Sequence, residues 1–189
     1  MIRKTMMALA ATAAISLTAS AQNGTVKIGD FSAGLDEWTY SNGQEFPGAE
    51  GNLWHDEGRK AAVLEGTFEK GGAYVAMVKG LSEQLNLKDV TIKLTTSDVK
   101  SIVFRITDST NQTFQQRIDL GDASKGVSVT VKSFTGGNGA GSWGGANDGK
   151  WHAPAKGVSI VLDKGHLNDP VNSPKGKLLI ESIEGKLAQ

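Results

Sequence analysis

Apolar and polar residues alternate with period two along most of the chain. Val90, Ile92 and Leu94 interleave with Thr91, Lys93 and Thr95, and Ile102, Phe104 and Ile106 with Val103, Arg105 and Thr107. The same rhythm returns at Phe114–Ile118, Val127–Val131 and Val158–Leu162. Successive side chains of a strand face opposite sides, so each segment has a core face and an outer face. Turn residues separate the segments: Asp108-Ser109-Thr110-Asn111, Gly121-Asp122 and Gly136-Gly137-Asn138-Gly139. Shorter strands fit Val26–Ile28, Ala61–Glu65, Ala73–Val78 and Lys177–Leu187. The pattern predicts roughly nine or ten strands, with Leu81–Leu87 suited to a single helical turn. Many short strands without helices predict an all-β fold, a two-sheet antiparallel β-sandwich.

The opening of the chain breaks this rhythm. Arg3 and Lys4 precede an apolar run from Met6 to Leu17, and Ala19-Ser20-Ala21 is a small-x-small cleavage site. Residues 1–21 therefore read as a secretory signal, with 22–189 as one mature domain. The apolar run is short of the ~20 residues that a membrane span needs. The expectation is a periplasmic or secreted protein with no membrane attachment after cleavage.

Composition narrows the partners. There is no cysteine, so neither a disulfide nor a lipidated cysteine is available, and a hydrophobic core must supply the stability. Basic and acidic residues balance at 20 each, which offers no electrostatic footprint for nucleic acid. The 24 glycines suit a fold with many turns.

Longer motifs carry a resemblance. Asp30-Phe31-Ser32-Ala33-Gly34-Leu35-Asp36-Glu37-Trp38 is followed by a Gly-rich hairpin from Leu64-Glu65-Gly66 to Gly71-Gly72-Ala73-Tyr74. The stretch Arg105 to Gln115 contains Asp108, Gln112 and Phe114 around a tight turn, with Asn111 in a glycine position. Asn tolerates the left-handed conformation that such a turn requires. With the loop Trp143–Pro154 and the closing Leu179-Ile180-Glu181-Ser182-Ile183, the chain resembles galactose-binding-like β-jelly-rolls. These occur as carbohydrate-binding modules and accessory domains of secreted bacterial glycosidases. The resemblance implies a carbohydrate partner, a polysaccharide or oligosaccharide. It also implies a structural calcium ion near Asp30 and Glu181, although Ser32 and Ser182 stand where relatives often carry an acid.

The residues themselves suggest where a sugar would lie. Thr91, Lys93, Arg105, Gln115, Arg117 and Ser159 fall on the polar sides of their strands. They would make one hydrogen-bonding face if those strands were neighbours. Sugars need hydrogen-bonding groups for their hydroxyls and aromatic faces for their C–H surfaces. Trp54, Trp143, Trp151 and Tyr40 sit among Gly, Asn, Asp and His and read as loop aromatics. Trp54 and Trp143 are candidate stacking platforms, Trp151 a loop anchor, and Phe31 and Trp38 core residues. The candidate ligand-binding set is thus Arg105, Gln115, Arg117, Lys93, Trp54 and Trp143. His55, His152 and His166 lack metal-ligand spacing. Glu45, Glu50, Asp56 and Glu57 read as loop acids without assignable pairing. No catalytic motif emerges, and the leading expectation is a non-catalytic binding protein. A glycoside hydrolase or polysaccharide lyase on the same fold is the alternative, and a structural or assembly subunit is the third reading.

Overall fold

The computed structural model describes residues 24–188. The segment expected to be an export signal, 1–21, lies outside the described residues. Twelve strands build two antiparallel sheets: β1 (Thr25–Asp30), β2 (Thr39–Ser41), β3 (Glu50–Asp56), β4 (Ala61–Thr67), β5 (Tyr74–Leu85), β6 (Leu87–Thr95), β7 (Ser101–Thr107), β8 (Thr113–Asp119), β9 (Val127–Val131), β10 (Gly141–Trp143), β11 (Ala155–Asp163) and β12 (Lys175–Leu187). Sheet I runs β3-β4-β12-β6-β9, and sheet II runs β10-β8-β7-β11-β5-β2. In sheet I, β4 pairs with the first half of β12, and β1 pairs with its second half, from Ser182 to Lys186. This is the expected β-sandwich.

The inner faces follow the alternation. Ile92 and Leu94 from β6, Leu178, Ile180 and Ile183 from β12, and Leu64 from β4 pack against Val75, Met77, Ile102, Phe104, Ile106, Val158, Ile160 and Leu162 of sheet II. Side chains of this size contribute about 1.5–3 kcal/mol each when fully buried. Phe31 and Trp38 join this core, and Trp38 Nε1 donates to the Ile28 carbonyl at 3.2 Å.

Four local expectations are corrected. Residues 81–85 continue β5 rather than turning into a helix. Glu50 and Asp56 open and close β3, which also carries Trp54. Tyr40 lies on β2, and Trp143 ends β10. Each of β2, β3 and β10 is an edge strand whose hydrogen bonds come from one partner, so its composition need not show the full apolar alternation.

Sheet II has a second apolar layer on its outer face. Tyr74, Ala76, Val103 and Val161 are all buried there, on the opposite side from the main core. The segment around Gly43–Phe46 folds against Tyr74: a side chain at Gly43 would meet the Tyr74 ring at 3.0 Å. This covered apolar patch forms the base of the candidate site.

Candidate ligand-binding groove

The outer face of sheet II brings part of the expected polar row together. Gly141 on β10, Gln115 on β8, Arg105 on β7, Ser159 on β11, Val78 on β5 and Thr39 on β2 stand in one cross-strand register. Arg105 Nε donates to Gln115 Oε1 at 3.2 Å. The Arg105 guanidinium lies 4.5 Å from the Tyr74 ring centroid and 5.4 Å from that of Trp143. Contact with two aromatic faces and one amide holds the guanidinium in a defined position, which lowers the entropy lost on binding.

Around this arginine lies a groove of ≈ 360 Å³, lined among others by Phe46, Tyr74, Gln115, Arg117, Asp163 and His166. Trp143 is 43% exposed at its edge, and Phe46 is 53% exposed. The Phe46 ring meets Tyr74 edge-on at 6.4 Å. Arg117 Nε sits 3.1 Å from Asp119 Oδ1. The Tyr74 hydroxyl donates to the Glu45 carboxylate. That bond holds Glu45 below its ordinary value, while burial, aided by Glu45, pushes the Tyr74 hydroxyl up. Burial also lowers the pKa of His166, which favours the neutral imidazole. Its Nδ1 is buried without a hydrogen-bond partner among the described residues.

Two interlocked loops carry Trp143. Asn111 takes φ 71°, the left-handed conformation expected at that position. The buried Asp108 accepts from the backbone N–H groups of Thr110 (2.8 Å) and Gln112 (3.0 Å) and from the Thr110 hydroxyl (2.7 Å). Its second oxygen accepts from the His152 N–H at 3.2 Å. The fully buried Gln112 donates to Asp148 and to the Lys150 carbonyl and accepts from the Gly149 N–H. The 108–112 turn is therefore clasped to the 144–152 loop that follows β10. Trp151 is the anchor the sequence suggests: its ring packs 4.8 Å from Phe134 and 5.8 Å from Phe114.

Other expected residues lie elsewhere. Thr91 and Lys93 are on β6 of sheet I, where Thr91 Oγ1 meets Thr130 Oγ1 at 2.9 Å. Trp54 is also on sheet I, with Lys177 Nζ 5.6 Å from its ring centroid. Neither Lys93 nor Trp54 can share a sugar with Arg105, because the core separates the outer faces of the two sheets. The groove instead recruits Tyr74, Phe46 and His166, with Glu45 bonded to the Tyr74 hydroxyl outside its lining. Tyr74 carried a readable signal, since it falls out of phase with the inward Val75 and Met77 and must face outward. Glu45 and Phe46 lie in an irregular segment with no period to place them.

The two carboxylates expected at a calcium site, Asp30 and Glu181, have partners within the chain. Asp30 pairs with Lys27 Nζ at 2.5 Å and accepts from the Ser32 N–H. Glu181 stands at a bulge of β12, 3.5 Å from Thr95 Oγ1. Among the described residues no group of three or more Asp, Glu, His or Cys side chains gathers around a common point. Calcium takes six to eight oxygens, and a carboxylate neutralised by an ammonium is a poor start for that shell. His55 is also committed elsewhere, its Nε2 donating to the Phe31 carbonyl at 2.7 Å.

Comparisons with known proteins agree with this architecture. No family model and no curated protein matches the chain. Among solved structures, it is similar to the family 11 carbohydrate-binding module of the cellulosomal cellulase Lic26A-Cel5E of Clostridium thermocellum. That match has a TM-score of 0.60 and 14% identity and covers 87% of this chain and 95% of that one. It is also similar to part of an agarase, AgWH50C, with a TM-score of 0.54 and 12% identity over 88% of this chain. An exo-beta-agarase matches with a TM-score of 0.50 and 9% identity over 86% of this chain. The chain spans 25% of the length of each agarase. At such identities the likeness establishes the fold alone, a two-sheet β-sandwich shared with the family 11 module.

Proposed function

We propose that this protein is an exported, non-catalytic carbohydrate-binding protein whose sheet II groove takes a polysaccharide or oligosaccharide. The observation that carries the reading is Arg105, set against both the Tyr74 and Trp143 rings and hydrogen-bonded to Gln115. Gln115 and the free N–H groups of Arg105 serve sugar hydroxyls, and the exposed Trp143 offers a face to sugar C–H groups. The fold likeness to a carbohydrate-binding module supports the ligand class. Export rests on the basic, apolar and small-residue pattern of residues 1–21. The non-catalytic reading rests on the lining. A glycosidase needs two carboxyl groups roughly 5–9.5 Å apart across the sugar. Asp163 is the one acid lining the groove among the described residues, and its Oδ1 accepts from the Gly165 N–H at 2.7 Å.

Agaro-oligosaccharides and cello-oligosaccharides are the first probes, matching the enzymes named among the structural neighbours. In calorimetric titration, Arg105→Ala should weaken binding by about 1–3 kcal/mol, the cost of an unsatisfied polar partner. Trp143→Ala should also weaken it, and both variants should melt close to the wild type. Unchanged affinity in both variants would remove the groove from consideration. New reducing ends or unsaturated products would favour the enzyme reading.

A further inference from the structure

The outer face of sheet I holds a second constructed groove. Trp54 on β3, Val63 on β4, Leu179 on β12 and Thr95 on β6 stand in one cross-strand register. Trp54 and Leu179 are half-buried, and Val63 is buried although it faces away from the main core. They form an apolar stripe across the sheet. A groove of ≈ 530 Å³ opens at the Leu179 end, with Arg59, Lys177, Asp98 and Glu181 among its lining.

These walls are held by bonds within the chain. Lys177 Nζ pairs with Glu65 at 2.7 Å and lies over Trp54. Arg59 pairs with Asp56 at 3.1 Å. The Thr96 hydroxyl donates to the Lys177 carbonyl at 2.7 Å and ties the 96–98 loop to β12. Ser97 Oγ donates to Asp98 Oδ1 at 2.9 Å.

We propose that this groove is a second carbohydrate site, specific for an uncharged sugar chain and independent of the sheet II groove. The charge pattern narrows the occupant. Arg59 and Lys177 are already paired with Asp56 and Glu65, and Asp98 and Glu181 add two further carboxylates to the lining, so an anionic sugar chain meets net repulsion. A polyhydroxyl ligand both donates and accepts, and it uses both kinds of wall at once. The Leu179–Trp54 stripe supplies the apolar surface for sugar C–H groups. A protein partner is the poorer match: among the described residues the exposed large apolar side chains are Phe46, Trp143 and Val171, and none of them lines this groove. Because the two grooves open on opposite sheets, one molecule would engage two chains, or two segments of one chain, at the same time. Such bivalency raises avidity without any new contact.

The test uses calorimetric titration of the mature protein with agarohexaose and cellohexaose. Four proteins are compared: wild type, Arg105→Ala, the double variant Lys177→Ala/Asp98→Ala, and the combination of all three changes. The substituted side chains lie outside the main core, and melting of each variant checks the fold. Two sites per wild-type chain are expected. Arg105→Ala and the Lys177/Asp98 variant should each lose one site, or weaken it about tenfold or more, as expected for unpaired polar groups. The triple variant should bind neither probe. One site per chain, insensitive to Lys177→Ala/Asp98→Ala and weakened by Arg105→Ala, overturns this inference and leaves the sheet II reading standing. One site with the opposite sensitivities overturns the sheet II reading and supports this one. No heat with either probe overturns both.

Discussion

At Asp148 a single carboxylate joins three parts of the clasp. It accepts from the Lys150 N–H at 3.0 Å, from Gln112 Nε2 at 3.2 Å and from His152 Nε2 at 3.1 Å. The Lys150 N–H, with His152 and Gln112, lowers its pKa to about 2 against the opposing effect of burial. A carboxyl whose folded pKa is depressed stabilises the fold above its unfolded value and loses that contribution as pH falls through the folded value. The window therefore runs from the ordinary 3.8 down to about 2. Asp108 acts in the same direction: burial alone would raise it, but the bonds from Thr110, Gln112 and His152 outweigh that and lower it. Asp148→Asn should melt below the wild type at pH 7 and show a shallower fall between pH 4 and 2. Thermal melts across that range check it, and parallel acid limbs would dismiss the role of this carboxylate.

At the level of elements, β10 is three residues long, and its backbone pairs only with β8. So short an edge strand does not hold Trp143 unaided, and the adjoining clasp centred on Gln112 supplies the rest. Gln112→Ala removes two donated bonds and one accepted bond, and leaves the Gly149 N–H and the Lys150 carbonyl without that partner. Unfolding by urea should show a loss of about 1–3 kcal/mol. The variant should also bind sugar more weakly although Gln112 does not line the groove, because Trp143 loses its support. Full affinity in a destabilised Gln112→Ala would show that β10 holds the tryptophan by itself.

For the whole molecule, β12 carries a glycine on its inner face where neighbouring side chains press close. A Cβ at Gly176 would come within 2.6 Å of Leu167 Cδ2 and 3.1 Å of Leu162 Cδ1 and Val99 Cγ2. Leu162 belongs to sheet II, so Gly176 sets part of the spacing between the layers. Gly176→Ala should cost about 1–3 kcal/mol by overpacking. Its melting temperature should fall while the affinity of the sheet II groove, on the far side of that sheet, is retained. A variant as stable as the wild type would show that the layers can separate locally to admit a methyl group.

Most of the architecture could be read from residue order alone. A strand exposes alternate side chains to different environments, so Ile92/Leu94, Phe104/Ile106 and Ile160/Leu162 declare their inner faces without reference to any partner. Local turn chemistry was legible for the same reason: Asn111 tolerates positive φ wherever its hairpin sits. The sequence also marks which side of a strand is polar, and so it selected Arg105, Gln115 and Arg117. It does not state which strands are neighbours. Strand pairing joins residues far apart in the chain, such as Trp143 with Thr113 and Lys177 with Glu65. Only that pairing could separate Lys93 and Trp54 from Arg105, bring Tyr74 under the guanidinium, and divide one expected polar face into two opposite ones.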